Sequence, residues 1–135
     1  MSNVTISPAQ AHALIVDILK QHNTSGENAI SVAEALVAAE MDGQRGHGLS
    51  RVPSYAAQSA SGKVNGLAKP IVVDQKPAAL RIDAASGFAF PAFDLAIAEL
   101  THLTANSGMA AASVVHSHHF GRAGDHAERV AKNGL

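Results

Sequence analysis

Pro70-Ile71-Val72-Val73-Asp74 and, a few residues on, Ala79-Leu80-Arg81-Ile82-Asp83 decide how this chain folds. Both are short runs, β-branched or alternating, between turn residues, and they read as two strands. Everything before them reads as helix, so they turn a helical beginning into a mixed α/β chain. Downstream, Pro91 opens a helix through about Ala105, with Phe93, Ala96, Ile97 and Leu100 on one face, and Gly108 ends it. Met109 to Val115 is a small-residue, strand-like run. Arg122 to Asn133 forms a last helix, stopped by Gly134.

Upstream, Ser7-Pro8-Ala9-Gln10 is a helix start. Ser7 caps, Pro8 takes the first helical position and Gln10 closes a capping box. Ala11, Leu14, Ile15, Ile18 and Leu19 then share a face. Asn23 to Gly26 breaks that helix, and Ser25 caps a second, lined by Ala29, Val32, Ala33, Leu36 and Val37 and ending near Gly43. After a short connection from Gln44 to Gly48, a third helix over about Leu49 to Ser61 keeps Pro53 in its first turn. The expected fold class is α/β: a helical domain over residues 1–66, then the start of an α/β domain over 67–135. A sheet that stops at Gly134-Leu135 has an uncovered edge, so the chain reads as the front part of a longer one.

The chain has 135 residues, 47% apolar and 16% charged, with a net charge of −1. That composition excludes intrinsic disorder and argues against non-specific nucleic-acid binding. With no cysteine, disulfides, thiolate catalysis and Cys-bound zinc are excluded. No apolar run approaches the roughly 18 residues that a membrane span needs, and no basic leader segment is visible. A cytoplasmic protein is the expectation. Aromatic residues are scarce at 4%, whereas histidines number eight, three of them in His116-Ser117-His118-His119.

Two clusters have the residue types for chemistry. The first is His47-Gly48-Leu49-Ser50-Arg51 with Tyr55 four residues on. Arg51 and Tyr55 share a helix face, and a held guanidinium offers a planar fork for a carboxylate. The glycines flanking His47 let backbone approach a ligand closely. The plain alternative is a helix start with a surface histidine and an ion-pairing arginine. The second cluster, His116 to Gly121, follows a strand and precedes a helix, the position where α/β sheets bind ligands. A neutral histidine there suits a general base near pH 7. His116 and His118, on one face of extended backbone, also suit a metal, but no third ligand is evident and none is assigned. Histidines filling polar gaps at a strand end are the structural alternative. His12, His22 and His102 are expected to face solvent, and His126 to be structural. The P-loop, the Rossmann G-x-G-x-x-G and the G-x-S-x-G elbow are all absent.

In their order and separation, these clusters resemble the type 2 malate/L-lactate dehydrogenase family, which includes ureidoglycolate and sulfolactate dehydrogenases and the cyclic ketimine reductases. Gly46-His47-Gly48-Leu49-Ser50-Arg51-Val52-Pro53-Ser54-Tyr55 is similar to its S-H-G-x-x-R-x-x-x-Y signature, with Gly46 where the family usually has Ser. The resemblance extends over Ala33 to Gly43, Gly62 to Gly66, Ile82 to Phe88 and Gly108 to Gly121. It implies a non-Rossmann, sulfolactate dehydrogenase-like fold that uses NAD or NADP, and a homodimer. It implies that His119 is the acid/base, that Arg51 holds a substrate carboxylate, and that His47 and Tyr55 line the substrate and nicotinamide pocket. His47, His119 and Gly121 would face the cofactor, with His47 stabilising charge on the reacting oxygen. The implied substrate is a small 2-hydroxy or 2-oxo acid. Family members run well over twice this length, so most of the cofactor-holding region, and a possible C-terminal partner piece, would lie beyond Leu135. The rival reading is a stand-alone binding or dimerisation module without catalysis.

Overall fold

A computed structural model describes residues 4–135; residues 1–3, assigned above to the helical domain, lie outside the described residues. The chain runs α1 (Pro8–Gln21), α2 (Gly26–Met41), two short 3-10 turns (Arg45–His47 and Leu49–Arg51), α3 (Val52–Ala60), β1 (Ile71–Lys76), β2 (Ala79–Asp83), α4 (Ala89–Ser107), β3 (Ala111–Val115) and α5 (Ala123–Lys132). The mixed helix and strand order is the one that the patterning implies.

Local signals set the helix starts. The Ser7 hydroxyl accepts from the Gln10 N–H at 3.2 Å, and the Gln10 side chain accepts from the Ser7 N–H at 2.8 Å. These bonds occupy two donors that a helix start leaves unpaired. Ser25 caps α2 with a single bond, accepting from the Asn28 N–H. The buried Asn28 side chain then donates to the Gly66 and Ala68 carbonyls, tying the start of α2 to the segment that leads into β1. Pro53 falls in the first turn of α3, as expected, but Leu49–Arg51 is a 3-10 turn rather than part of the α-helix. α4 starts two residues before Pro91, whose missing N–H falls in a turn where no partner is needed.

β1 and β2 form an antiparallel hairpin closed by Pro77-Ala78, with a bulge between Val72 and Asp74. β3 pairs parallel to β2, from Ala79 opposite Ala111 to Asp83 opposite Val115, with α4 as the crossover. The strand order is β1-β2-β3. Parallel pairing needs a crossover of a dozen or more residues, and α4 supplies it.

Two cores result. One joins Ile15, Leu19, Val32, Leu36, Tyr55 and Val64 with Phe88 and Phe90, so two phenylalanines from beyond residue 66 pack among the first helices. The other sets Leu80 and Ile82 of β2 against Ala92 and Ala96 of α4. One expected core residue is misplaced: Leu14 is 52% exposed. α1 buries a narrow stripe of Ala11, Ile15 and Leu19, spaced four apart, and Leu14 stands beside it. His22 is partly buried rather than solvent-facing, its Nδ1 bonded to the Ile18 carbonyl at the end of α1. His126 is structural as expected: it is buried, bonded through Nε2 to the Phe120 carbonyl and stacked 4.0 Å from Phe93.

Candidate functional site

The two histidine clusters meet. The His47 and His119 rings lie 5.6 Å apart and nearly parallel, at 11°. The Tyr55 hydroxyl is 3.5 Å from His119 Nδ1. His47 comes from the first 3-10 turn, Tyr55 from α3 and His119 from the loop between β3 and α5. That loop lies beyond the carboxyl end of a parallel strand, where such sheets present ligand-binding residues.

Two glycines hold this arrangement for different reasons. A side chain on Gly48 would sit 3.1 Å from the Cα of Glu40, because the His47 turn packs directly on α2. The Glu40 carboxylate completes the packing by accepting from the Leu49 N–H at 3.0 Å. Gly48 is thus required by helix packing, not by approach to a ligand, which corrects the reading of the glycines around His47. Space at Gly46 is open, so the hydroxyl of a serine would fit there. Gly121 has φ +74°, and a side chain on it would strike the Phe90 ring.

Gly121 also fixes His119 chemically. Its N–H donates to His119 Nδ1 at 3.0 Å, so in the neutral ring the proton is on Nε2. The ring stays neutral because partial desolvation holds its pKa below the usual imidazole value, with the nearby His47 and Arg51 lowering it further. Burial raises the Tyr55 pKa, and Arg51 only partly offsets this, so the phenol keeps its proton. Tyr55 is 3% exposed and wedged among Phe88, Phe90 and His118, whose rings lie 5.0–6.4 Å from it.

Arg51 is exposed, and its Nε–H donates to the Gly46 carbonyl at 2.5 Å. That bond fixes the plane of the guanidinium and leaves the two terminal nitrogens as the available fork. Arg51→Lys is therefore expected to raise KM for an acid substrate while leaving kcat nearly unchanged. Steady-state kinetics check this, and an unchanged KM removes Arg51 from carboxylate binding.

His116 and His118 part company. His116 has φ +50°, which breaks the alternation that extended backbone would give, and its Nδ1 pairs with Asp83 at 3.1 Å. His118 Nε2 donates instead to the Gln58 side-chain carbonyl at 3.1 Å. Gln58 is a residue that the sequence reading passed over, although it lies three positions after Tyr55 on the same helix. Among the described residues no group of three His, Asp or Glu side chains is arranged to hold a metal.

Near-parallel rings continue from the site: Phe120 lies 5.9 Å from His119, and Phe93 lies 5.9 Å from Phe120. The half-exposed Phe120 ring borders a groove of about 480 Å³ between α4, β3 and α5. Arg51 and His119 are both exposed, whereas Tyr55 is buried beside His119.

Burial also holds the His118 pKa below its usual value, with His119 and Lys63 adding repulsion. The unfolded chain therefore binds more protons on His118 and His119 as the pH falls through about 6.5. Stability is expected to be full above that value and to decline below it. Urea unfolding at pH 7.5 and pH 5.5 checks the sign, and His118→Phe is expected to flatten the difference.

The chain is similar to known proteins over nearly its whole length. The family model for malate/L-lactate dehydrogenase matches residues 6–135. A Δ1-pyrroline-2-carboxylate/Δ1-piperideine-2-carboxylate reductase of Pseudomonas syringae pv. tomato is 38% identical over 131 residues, 97% of this chain and 38% of that protein. A (2R)-3-sulfolactate dehydrogenase (NADP+) of Chromohalobacter salexigens is 40% identical over 130 residues, 96% of this chain and 39% of its own length. The crystal structure of the P. syringae Δ1-piperideine-2-carboxylate reductase superposes with a TM-score of 0.92 at 37% identity, covering 98% of this chain and 40% of the other. Malate dehydrogenase of Entamoeba histolytica gives 0.91 at 25% identity, covering 98% and 37%. The chain spans about 40% of the length of these relatives. No described helix is long and apolar enough to cross a membrane. With nearly its whole length matched in both sequence and fold, the chain belongs to the malate/L-lactate dehydrogenase family.

Proposed function

We propose that this chain is the N-terminal part of an NAD(P)-linked oxidoreductase acting on a small 2-hydroxy or 2-oxo acid, malate- or lactate-like, and that it supplies the substrate-handling residues. The observation that carries the reading is the stacked His47–His119 pair, with the Tyr55 hydroxyl against the second ring. The names of its relatives, reductases and dehydrogenases of small carboxylic acids, support the reaction class.

Arg51 grips the substrate carboxylate through its terminal nitrogens and so places the adjacent carbon. His119 handles the proton of the reacting oxygen at Nε2, while Gly121 and Tyr55 hold Nδ1. With Nδ1 accepting from Gly121, the Nε2–H is set to donate a hydrogen bond to the reacting oxygen and to polarise it for hydride transfer in either direction. His47 offsets negative charge growing on that oxygen.

The residues present fit the reactive end of a nicotinamide cofactor. His47 Nδ1 is buried without a partner, and the half-exposed Phe120 ring beside His119 suits a planar heterocycle. His47, His119 and Gly121 would face that ring. When bound, the cofactor supplies or accepts the hydride. The division at residue 66 into a helical domain and the start of a cofactor domain belongs to the same proposal, as do a homodimer and a cytoplasmic setting. The two separate cores support the division, although Phe88 and Phe90 cross it.

Fluorescence titration with NADH and NADPH, followed by turnover with malate, lactate, their oxo acids and a cyclic ketimine acid, tests the reading. Saturable binding and turnover by the complete polypeptide are expected. A complete polypeptide that binds neither cofactor is instead a non-catalytic module.

A further inference from the structure

The two loops that carry the imidazoles are both fastened to one turn of one helix. Glu40, in the last turn of α2, holds the His47 loop through the Leu49 N–H and lies 3.9 Å from Arg45. Asp42, the C-terminal cap of the same helix, binds Arg122, three residues after His119. The Arg122 side chain is 17% exposed, and its other terminal nitrogen is 3.7 Å from Asp125. Its Nε is buried without a partner. A guanidinium this enclosed keeps its place only while carboxylates face it.

Asp42 does nothing useful for α2 itself. A negative side chain at a helix C-terminus opposes the helix dipole. Its contribution lies across the loop, 80 residues away in sequence.

We propose that the C-terminal turn of α2 sets the spacing of the two imidazoles, with Arg122, held by Asp42, as the positioning residue for His119. Glu40 fixes one ring from below its loop, and Asp42 fixes the other through Arg122. The inference builds on the proton-handling role proposed for His119, but its primary readout is ring geometry, which needs no turnover.

The test uses the whole protein with three variants: Asp42→Asn, Arg122→Gln and the charge-swapped pair Asp42→Arg with Arg122→Asp. The ring-proton Overhauser effect between His47 and His119 is measured by NMR, with the melting temperature recorded alongside. Asp42→Asn is expected to lower the melting temperature by a few degrees at most, since Asp42 is half exposed and Asp125 still faces the guanidinium, and to weaken that cross-peak at least about twofold; an effect through α2 alone would leave the cross-peak unchanged. The charge swap is expected to restore it only in part, because the new carboxylate at position 122 faces Asp125. In the active enzyme, the same substitution is expected to lower kcat by roughly tenfold with little change in KM, since small misplacements of a reacting group cost rate. If Arg122→Gln fails to fold, Asp42→Asn and the swap still decide. Wild-type cross-peaks in Asp42→Asn overturn the proposal. Weakened cross-peaks in a protein that turns over none of the acids leave the positioning intact and remove only the enzymatic reading.

Discussion

His119→Ala is expected to lower turnover by about 10²-fold or more, the usual contribution of a general acid or base. The ring is exposed and belongs to neither core, so its removal leaves the fold in place and the loss falls on the chemistry. Two contacts make the residue specific rather than generic. The Gly121 N–H fixes which nitrogen faces outward, and the Tyr55 hydroxyl stands against the same inner nitrogen. Steady-state kinetics on the active polypeptide, with the melting temperature as a control, supply the measurement. Turnover at the wild-type level would take His119 out of the reaction. His47→Ala is expected to cost less, because its ring neighbours the proton-transfer group rather than being it.

The largest stability effect is expected from Leu36→Ala. Leu36 is 1% exposed, in the core where α2 meets α1 and α3. Truncation removes buried methyl groups and leaves a cavity that close-packed helices cannot fully collapse, at about 2–5 kcal/mol. The melting temperature would fall by on the order of 10 °C. Leu14→Ala is the matched control: the same chemistry on a side chain half in solvent, with an expected change within about 0.5 kcal/mol. Denaturant unfolding of both variants distinguishes the burial found in the structure from that implied by helical periodicity. Equal losses would mean that Leu14 is buried in solution.

The Leu14 result shows how far periodicity reaches. A 3.6-residue repeat marks a face, but its width depends on how neighbouring helices cross it, and α1 is covered only along Ala11, Ile15 and Leu19. The caps at Ser7 and Ser25 were legible because capping is local: the bonding atoms lie within three residues of each other. The strands were legible as runs of apolar and branched residues between turn signals. Their pairing was not, because β2 meets β3 across the whole of α4.

The site divides along the same line. His47, Arg51, Tyr55, His119 and Gly121 were all visible as two clusters of suitable chemistry. His116 and His118 do not share a face as they would on extended backbone, because the left-handed turn at His116 sends one ring to Asp83 and the other to Gln58. Glu40, Asp42 and Arg122 gave no signal, since a charged residue at a helix end reads as ordinary surface until its partner is known.

What the sequence determined by itself was local: where helices begin, which runs are strands, and which residue types gather before and after residue 66. Tertiary structure alone decided that His47 stacks on His119, which nitrogen of His119 carries the proton, and why Gly48 has no side chain. The reason is separation along the chain. Caps and turns form between near neighbours, whereas the stacked rings lie more than 70 residues apart and meet only after α2, α3 and the sheet have packed.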